Sequence, residues 1–303
     1  MGKKVLLIVP LTTLVWGSKN DGGVDSVCQM LVKQLELTAP TKFMYRVIAF
    51  DPSNSCKESG DVIKLNRSLE VVRFNSRNSS KLPNLLNQLK VIKKQVRIFK
   101  PDLIHSHQIC WLLATGTKVP TMATLHSYKR ICRTPRSIIN NIFYENILPY
   151  LSQGFIDSYT CVSENFKNKV ENDIIKPISV VYNPLDKIYF FGKKKTKHDE
   201  SLRLVTCSIL TKRKGIHHML EVINILKLRG YKVELTIIGP LTDEKYKNYL
   251  DVIILKNELK NLVLFTGKLN TKQIVDIYSE NDVGLFFSAE ETFGLVPIEM
   301  LTS

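Results

Sequence analysis

Short apolar runs alternate with amphipathic stretches almost from end to end of the chain. Val5–Pro10 is a β-branched-rich run that reads as a buried strand. Residues 24–37 follow with Val27, Met30, Leu31 and Leu35 at helical spacing. Strands are predicted next at Tyr45–Phe50 and Val71–Phe74, then a basic amphipathic helix at Leu82–Phe99. Further strands are predicted at Leu103–His105, Val119–Leu125, Tyr159–Val162 and Ile178–Val181. The stretch F-G-K-K-K-T-K-H-D-E-S (Phe191–Ser201) has no apolar period and reads as a charged linker. Alternation then restarts, with strands at Leu202–Cys207, Val233–Ile238, Leu262–Phe265 and Val283–Phe287. Helices are predicted between them, at Gly215–Leu228, near Lys245–Lys256 and near Thr271–Ser279.

Strand–helix alternation of this kind predicts parallel sheets with crossover helices, and its restart predicts two doubly wound domains, residues 1–188 and 189–303. Ligands of such sheets lie beyond the carboxyl ends of the strands, so the cleft between two domains is the expected site.

Composition narrows the class. The 303 residues are 44% hydrophobic and 23% charged, ordinary for a soluble globular protein. The 43 basic and 28 acidic residues give a net charge of +15, which favours polyanions or anionic membrane surfaces as partners. Ten of the basic residues lie between Lys90 and Arg136, against one acid, Asp102; a helix with Ile138, Ile139, Ile142, Phe143 and Ile147 begins near Ser137. Such a stretch suits an anionic leaflet, or equally a solvated basic face over a core helix. No finger, RNP or helix-turn-helix pattern accompanies the charge, so nucleic acid is not the expected partner. The six cysteines are scattered without a C-x-x-C pair and read as reduced core thiols. No apolar stretch is long enough for a signal peptide or a membrane span, so a cytoplasmic location is expected.

Candidate chemistry gathers at strand ends. Gly22 and Gly23 stand between the first strand and the first helix, where a phosphate can meet free N–H groups and the positive end of a helix dipole; a plain turn is an equal reading. The full G-x-G-x-x-G is absent, against a nicotinamide-dependent enzyme. His105 and His107 share one strand face without a third ligand, so packing is favoured over a metal pair. His126 closes the next strand at its carboxyl edge. Lys212, Arg213 and Lys214 precede Gly215 and a helix, a sensible diphosphate clamp. Gly239 ends another strand. In A-E-E-T-F-G-L-V-P-I-E-M-L-T-S, Glu291 lies in a loop and Glu299 in the first turns of a helix admitting Pro297, a pair of carboxylates fit to accept polyol hydroxyls.

The E-x7-E of Glu291–Glu299 with its internal F-G-L resembles the signature of retaining GT-B glycosyltransferases of family 4. The likeness extends in order over most of the chain: Gly22-Gly23, P-D-L-I-H-S-H, the strand ending in His126, C-V-S-E, V-V-Y-N-P-L-D, Lys214-Gly215, I-I-G and the last stretch. It implies two Rossmann-like domains facing a cleft, an acceptor held by the first and a nucleotide-sugar donor, UDP-linked by preference, held by the second. By that likeness Glu299 binds the ribose and Glu291 the transferred sugar. Phe293, Gly294 and Leu295 offer backbone N–H groups. Lys214 neutralises the leaving diphosphate with help from the Gly23 N–H, and His126 faces the sugar near its anomeric carbon.

The resemblance further implies front-face attack without a protein nucleophile, no metal or cofactor, and an acceptor that is a lipid-linked or lipopolysaccharide-type glycan such as O-antigen. Where relatives carry Gly-Arg, this chain has Ser208-Ile209, so Lys212 or Arg213 takes over that diphosphate contact. Relatives also continue beyond the second Glu, so the second domain is expected to be incomplete here. A catalytically weak binding or scaffold protein, a nucleotide-sugar epimerase and a glycogen-type synthase are the rival readings.

Overall fold

The computed structural model describes residues 2–57, 59–77, 83–116, 118–129, 131, 142–190 and 201–303. Residues 191–200 of the predicted linker 191–201, and the start of the helix near Ser137 with Arg130, Cys132, Arg133 and Arg136, lie outside these residues. The chain forms two compact units, Met1–Pro184 and Leu185–Ser303. This division falls four residues before the one drawn from the sequence, because Leu185, Ile188 and Tyr189 pack into the core of the second unit.

The first unit holds β1 (Lys3–Pro10), β2 (Phe43–Asp51), β3 (Val62–Asn66), β4 (Leu69–Asn75), β5 (Leu103–Ser106), β6 (Thr121–Leu125), β7 (Ser158–Cys161) and β8 (Ile178–Val180). Their order across the sheet is β3-β4-β2-β1-β5-β6-β7-β8. All neighbours are parallel except β3 and β4. Central β1 is buried from Val5 to Val9, the unbroken apolar run of a strand covered on both faces. Its described helices are α1 (Gly23–Thr38), α2 (Asn84–Phe99), α3 (Leu148–Gln153) and α4 (Glu164–Val170). The predicted strand Val71–Phe74 is β4, and the edge strand β3 that forms a hairpin with it is an addition to the predicted elements. This outer strand is a short mixed run, V-I-K-L-N, with only partial burial, so it carries little hydrophobic signal.

The second unit holds β9 (Leu202–Cys207), α5 (Ile216–Leu228), β10 (Val233–Ile238), α6 (Glu244–Lys256), β11 (Val263–Gly267), α7 (Thr271–Glu280), β12 (Val283–Gly284) and α8 (Leu295–Thr302). The strands lie parallel in the order β11-β10-β9-β12. Helix starts are locally encoded: Asp243 caps α6, and Asn270 with Gln273 forms a capping box on α7. The predicted strand Val283–Phe287 is corrected to two residues. After Leu285 N–H donates to Val205 O (2.7 Å), the chain leaves the sheet, and Ala289 N–H donates to Arg213 O (2.9 Å). That departure carries the glutamate loop to the cationic turn.

Candidate active site

In the first unit, the loop after β1 is pinned by the buried carboxylate of Asp25. It accepts from Thr12 N–H (2.8 Å), Thr12 Oγ1 (2.7 Å), Asp21 N–H (2.8 Å) and Gln29 Nε2 (3.0 Å). Gly22, in a positive-φ conformation (99°), is the N-cap of α1, and Gly23 is its first residue, with open space where a Cβ would stand. An approach to the Gly23 backbone is therefore sterically clear.

Parallel pairing of β5 with β6 brings the three histidines of this unit's strand ends together. His107 Nδ1 lies 2.9 Å from His126 Nε2, with the rings stacked at 5.1 Å, and 3.4 Å from the thiol of buried Cys28. His105 Nε2 lies 2.7 Å from Thr124 Oγ1, which meets Thr160 Oγ1 at 2.7 Å. His107 Nε2 is buried and makes no hydrogen bond. Burial pushes His105 and His126 down to about 4, with His105 adding to the effect on His126. Burial, then the charges of His105 and His126, holds His107 well below the ordinary imidazole value. The cluster is neutral near pH 7. The sequence placed His107 as strand-end packing and His126 as functional; their direct contact was not foreseen. Among the described residues, no group of three or more His, Cys, Asp and Glu side chains is arranged to hold a metal.

In the second unit, two loops at the carboxyl ends of β9 and β12 are drawn together. Lys212–Lys214 forms a 3-10 turn that ends at Gly215 in the left-handed region (φ 68°). A Cβ on Gly215 would stand 2.6 Å from Phe287 O, so only glycine permits this approach of the two loops. Across it, Lys214 Nζ donates to Glu291 Oε1. Arg213 donates to Glu290 O at 2.5 Å, and its guanidinium lies 3.7 Å from the Glu291 carboxylate. Lys214 Nζ also stands 5.7 Å from the Phe286 ring centre. Lys212 is exposed. Gly239 serves backbone packing: a Cβ there would collide with Ser208 O at 1.8 Å, and its N–H donates to Gly267 O.

Gly294, in the left-handed region (φ 83°), is the N-cap of α8. Leu295 is its first residue, and Phe293 precedes the cap. The helix sits on β12 where Gly284 leaves room for Met300. Glu299 faces inward toward Tyr189, Cys207 and Tyr278, and burial pushes its carboxyl up to about 7, against the pull of a hydrogen bond from Tyr189. Burial raises the Cys207 thiol to about 12, so it is an inert thiol here. A carboxyl poised near neutrality can either accept or donate a hydrogen bond to a hydroxyl. Tyr189 was missed from the sequence, since it lies in the segment leading out of the first unit and carries no motif.

A sequence profile described as Glycosyltransferase Family 4 matches residues 22–187, and one described as Glycosyl transferases group 1 matches residues 190–303. The chain belongs to glycosyltransferase family 4. A curated relative from Klebsiella pneumoniae, an uncharacterized 41.2 kDa protein in the cps region, is 24% identical over 247 residues. That match takes in 74% of this chain and 64% of the relative, so the chain spans just under two thirds of that relative's length. Among solved structures, a sucrose-phosphate synthase from Thermosynechococcus elongatus superposes with a TM-score of 0.77 (14% identity, 99% of this chain and 79% of that one). WaaG, a glycosyltransferase involved in lipopolysaccharide biosynthesis, gives 0.70 (9% identity, 98% and 78%). HepE from Anabaena, in complex with UDP-glucose, gives 0.66 (17% identity, 99% and 78%). The fold of this family 4 member is GT-B, with two Rossmann-like units.

Proposed function

We infer that the chain is a retaining glycosyltransferase that moves a sugar from a nucleotide-sugar donor, a UDP-sugar by preference, to a glycan acceptor. The observation that carries this reading is the meeting of the Arg213–Lys214 turn with the Glu291 loop, beside the glycine-started helix that bears Glu299. Cations for a diphosphate, a carboxylate for sugar hydroxyls and a second carboxyl for a ribose come from loops that meet at the carboxyl ends of β9 and β12. HepE binds UDP-glucose on the same fold, which supports a UDP donor.

In the proposed reaction the bond from the anomeric carbon to the diphosphate oxygen breaks, and the acceptor oxygen forms its bond on the same face. The acceptor proton passes to the departing phosphate oxygen. No protein nucleophile is needed. Lys214 and Arg213 stabilise the growing charge on the leaving diphosphate, the work a metal performs elsewhere, so the reaction is proposed to be metal-independent. Phe293, Gly294 and Leu295 contribute N–H groups at the start of α8, and Glu299 holds the ribose. For Gly23 and His126 the proposed roles, on the diphosphate and the sugar, are those the family resemblance implies.

The acceptor is proposed to be a lipid-linked glycan of the lipopolysaccharide or capsule type, handled at the cytoplasmic face of a membrane. Support comes from the cps-region relative and WaaG, the +15 charge, and Phe143, Ile147, Tyr150 and Leu151, which stand exposed along the end of the first unit's apolar helix. Among the described residues no helix is long and apolar enough to cross a membrane.

Incubation with UDP- and GDP-sugars and a glycan acceptor, following nucleotide release, tests the reading; absence of both binding and release in the unaltered chain refutes it. Binding without release favours the second reading, a nucleotide-sugar-binding protein. Ile209 favours that reading, because this apolar and exposed side chain stands where relatives present an arginine.

A further inference from the structure

We propose that Glu291 is a built-in competitor for Lys214, so that the second unit binds a nucleoside diphosphate carrying a sugar in preference to the free nucleotide. The proposal rests on the donor-binding reading above and adds to it a selectivity. The cation placed to meet a diphosphate is already occupied: Lys214 Nζ donates to Glu291 Oε1, and Arg213 stands 3.7 Å from the same carboxylate while donating to Glu290 O. Both side chains of the close pair are sheltered, with 16% and 25% of their surface exposed, so solvent and salt weaken the pair less than a surface contact. The two loops are also tied beneath it. Ala289 N–H is bonded to Arg213 O, and Gly215 lets the two loops touch at Phe287.

A ligand reaching Lys214 must therefore displace the Glu291 carboxylate. A free nucleoside diphosphate offers nothing in return. Its terminal phosphate brings an extra negative charge beside a carboxylate that has just lost its ammonium partner. A sugar on that phosphate removes one charge and supplies hydroxyl donors, so the carboxylate exchanges one hydrogen-bond partner for another. Discrimination comes from the repulsive element as much as from the attractive one. After transfer, the diphosphate left behind lacks the hydroxyls, Glu291 returns to Lys214, and the product is expelled.

Calorimetric titration with UDP and GDP, each alone and as its hexose conjugate (UDP-glucose, GDP-mannose), tests this on the full chain. Glu291→Gln removes the competitor and is expected to bind the free diphosphate about tenfold more tightly, with no gain for the conjugate. Glu291→Asp, which keeps the charge but shortens the reach, should fall between Glu291→Gln and the unaltered chain. In a Lys214→Ala background, with no ammonium left to compete for, Glu291→Gln should bring a clearly smaller gain, the part due to charge repulsion alone. If the unaltered chain binds a diphosphate and neither Glu291 variant binds it more tightly, or the gain is undiminished without Lys214, the competitor role is overturned. If the unaltered chain binds none of the four ligands, the donor-binding reading itself fails, and this proposal with it.

Discussion

The strand-end clusters of the two units handle polar chemistry in opposite ways. In the first unit, half-buried His105 and His126 flank buried His107; all three are neutral, His107 is bonded to His126 and His105 to the Thr124 hydroxyl. In the second, full charges of both signs meet at Lys214, Arg213 and Glu291, while the half-buried carboxyl of Glu299 is raised toward neutrality by desolvation. Burial explains the split. An imidazole can shed its proton and stay buried, whereas a lysine and a glutamate keep their charges only where each finds the other and some solvent remains. The neutral cluster suits hydroxyl recognition and the charged one suits phosphate.

The comparison is broken hardest at Lys214. Lys214→Ala should lower turnover by about 10²–10³, the effect of deleting one group that stabilises a leaving anion, while His126→Ala, which removes a neutral contact, should cost about tenfold or less. Steady-state kinetics on the same donor measures both. Equal losses would erase the distinction between the clusters.

The units should also respond to pH with opposite sign. The histidines' folded values lie below their ordinary 6.5, so the stability that depends on their neutrality is complete above about pH 6.5 and is lost as pH falls toward 4. Glu299's folded value, about 7, lies above its ordinary 4.5. Its contribution is complete below pH 4.5 and is lost as pH rises through 7. Each of these groups is worth up to about 3 kcal/mol. Both tryptophans, Trp16 and Trp111, lie in the first unit, so their fluorescence reports its melting alone. Its transition should move down in acid, and Glu299→Gln should flatten the alkaline fall seen by circular dichroism.

A smaller effect is expected at the loop contact. Gly215→Ala places a methyl against Phe287 O at a left-handed residue and should destabilise the second unit by about 2 kcal/mol, read as a lower denaturant midpoint. Gly23→Ala, with open space at its Cβ, should cost well under 1 kcal/mol. The smallest expected effect is none: EDTA should leave turnover unchanged if Lys214 and Arg213 carry the leaving-group charge, and a large loss would count against the metal-independent reaction.

Much of this was legible in the residues. Runs such as Val5–Val9 must be buried on both faces, and their alternation with helical spacing dictates parallel sheets. Pro297 marks the opening turns of the last helix, and Gly22-Gly23 marks the turn from the first strand to the first helix. The order of motifs alone resembles that of the family. What local pattern does not carry is partner choice across the sheet. That His107 would meet His126 depends on the register of β5 against β6, and that Lys214 would face Glu291, 77 residues on, depends on β12 pairing with β9 and stopping after two residues.

The sequence by itself thus determined most of the strands and helices, the two-unit organisation and the residue types available for chemistry, because these follow from periodicity and steric limits within a few neighbouring residues. Only the tertiary structure decided which charges are spent on each other. Burial and long-range pairing set the proton on Glu299, silenced Cys207, neutralised the histidines and closed Glu291 onto Lys214, and each of these is a property of the surroundings that folding creates.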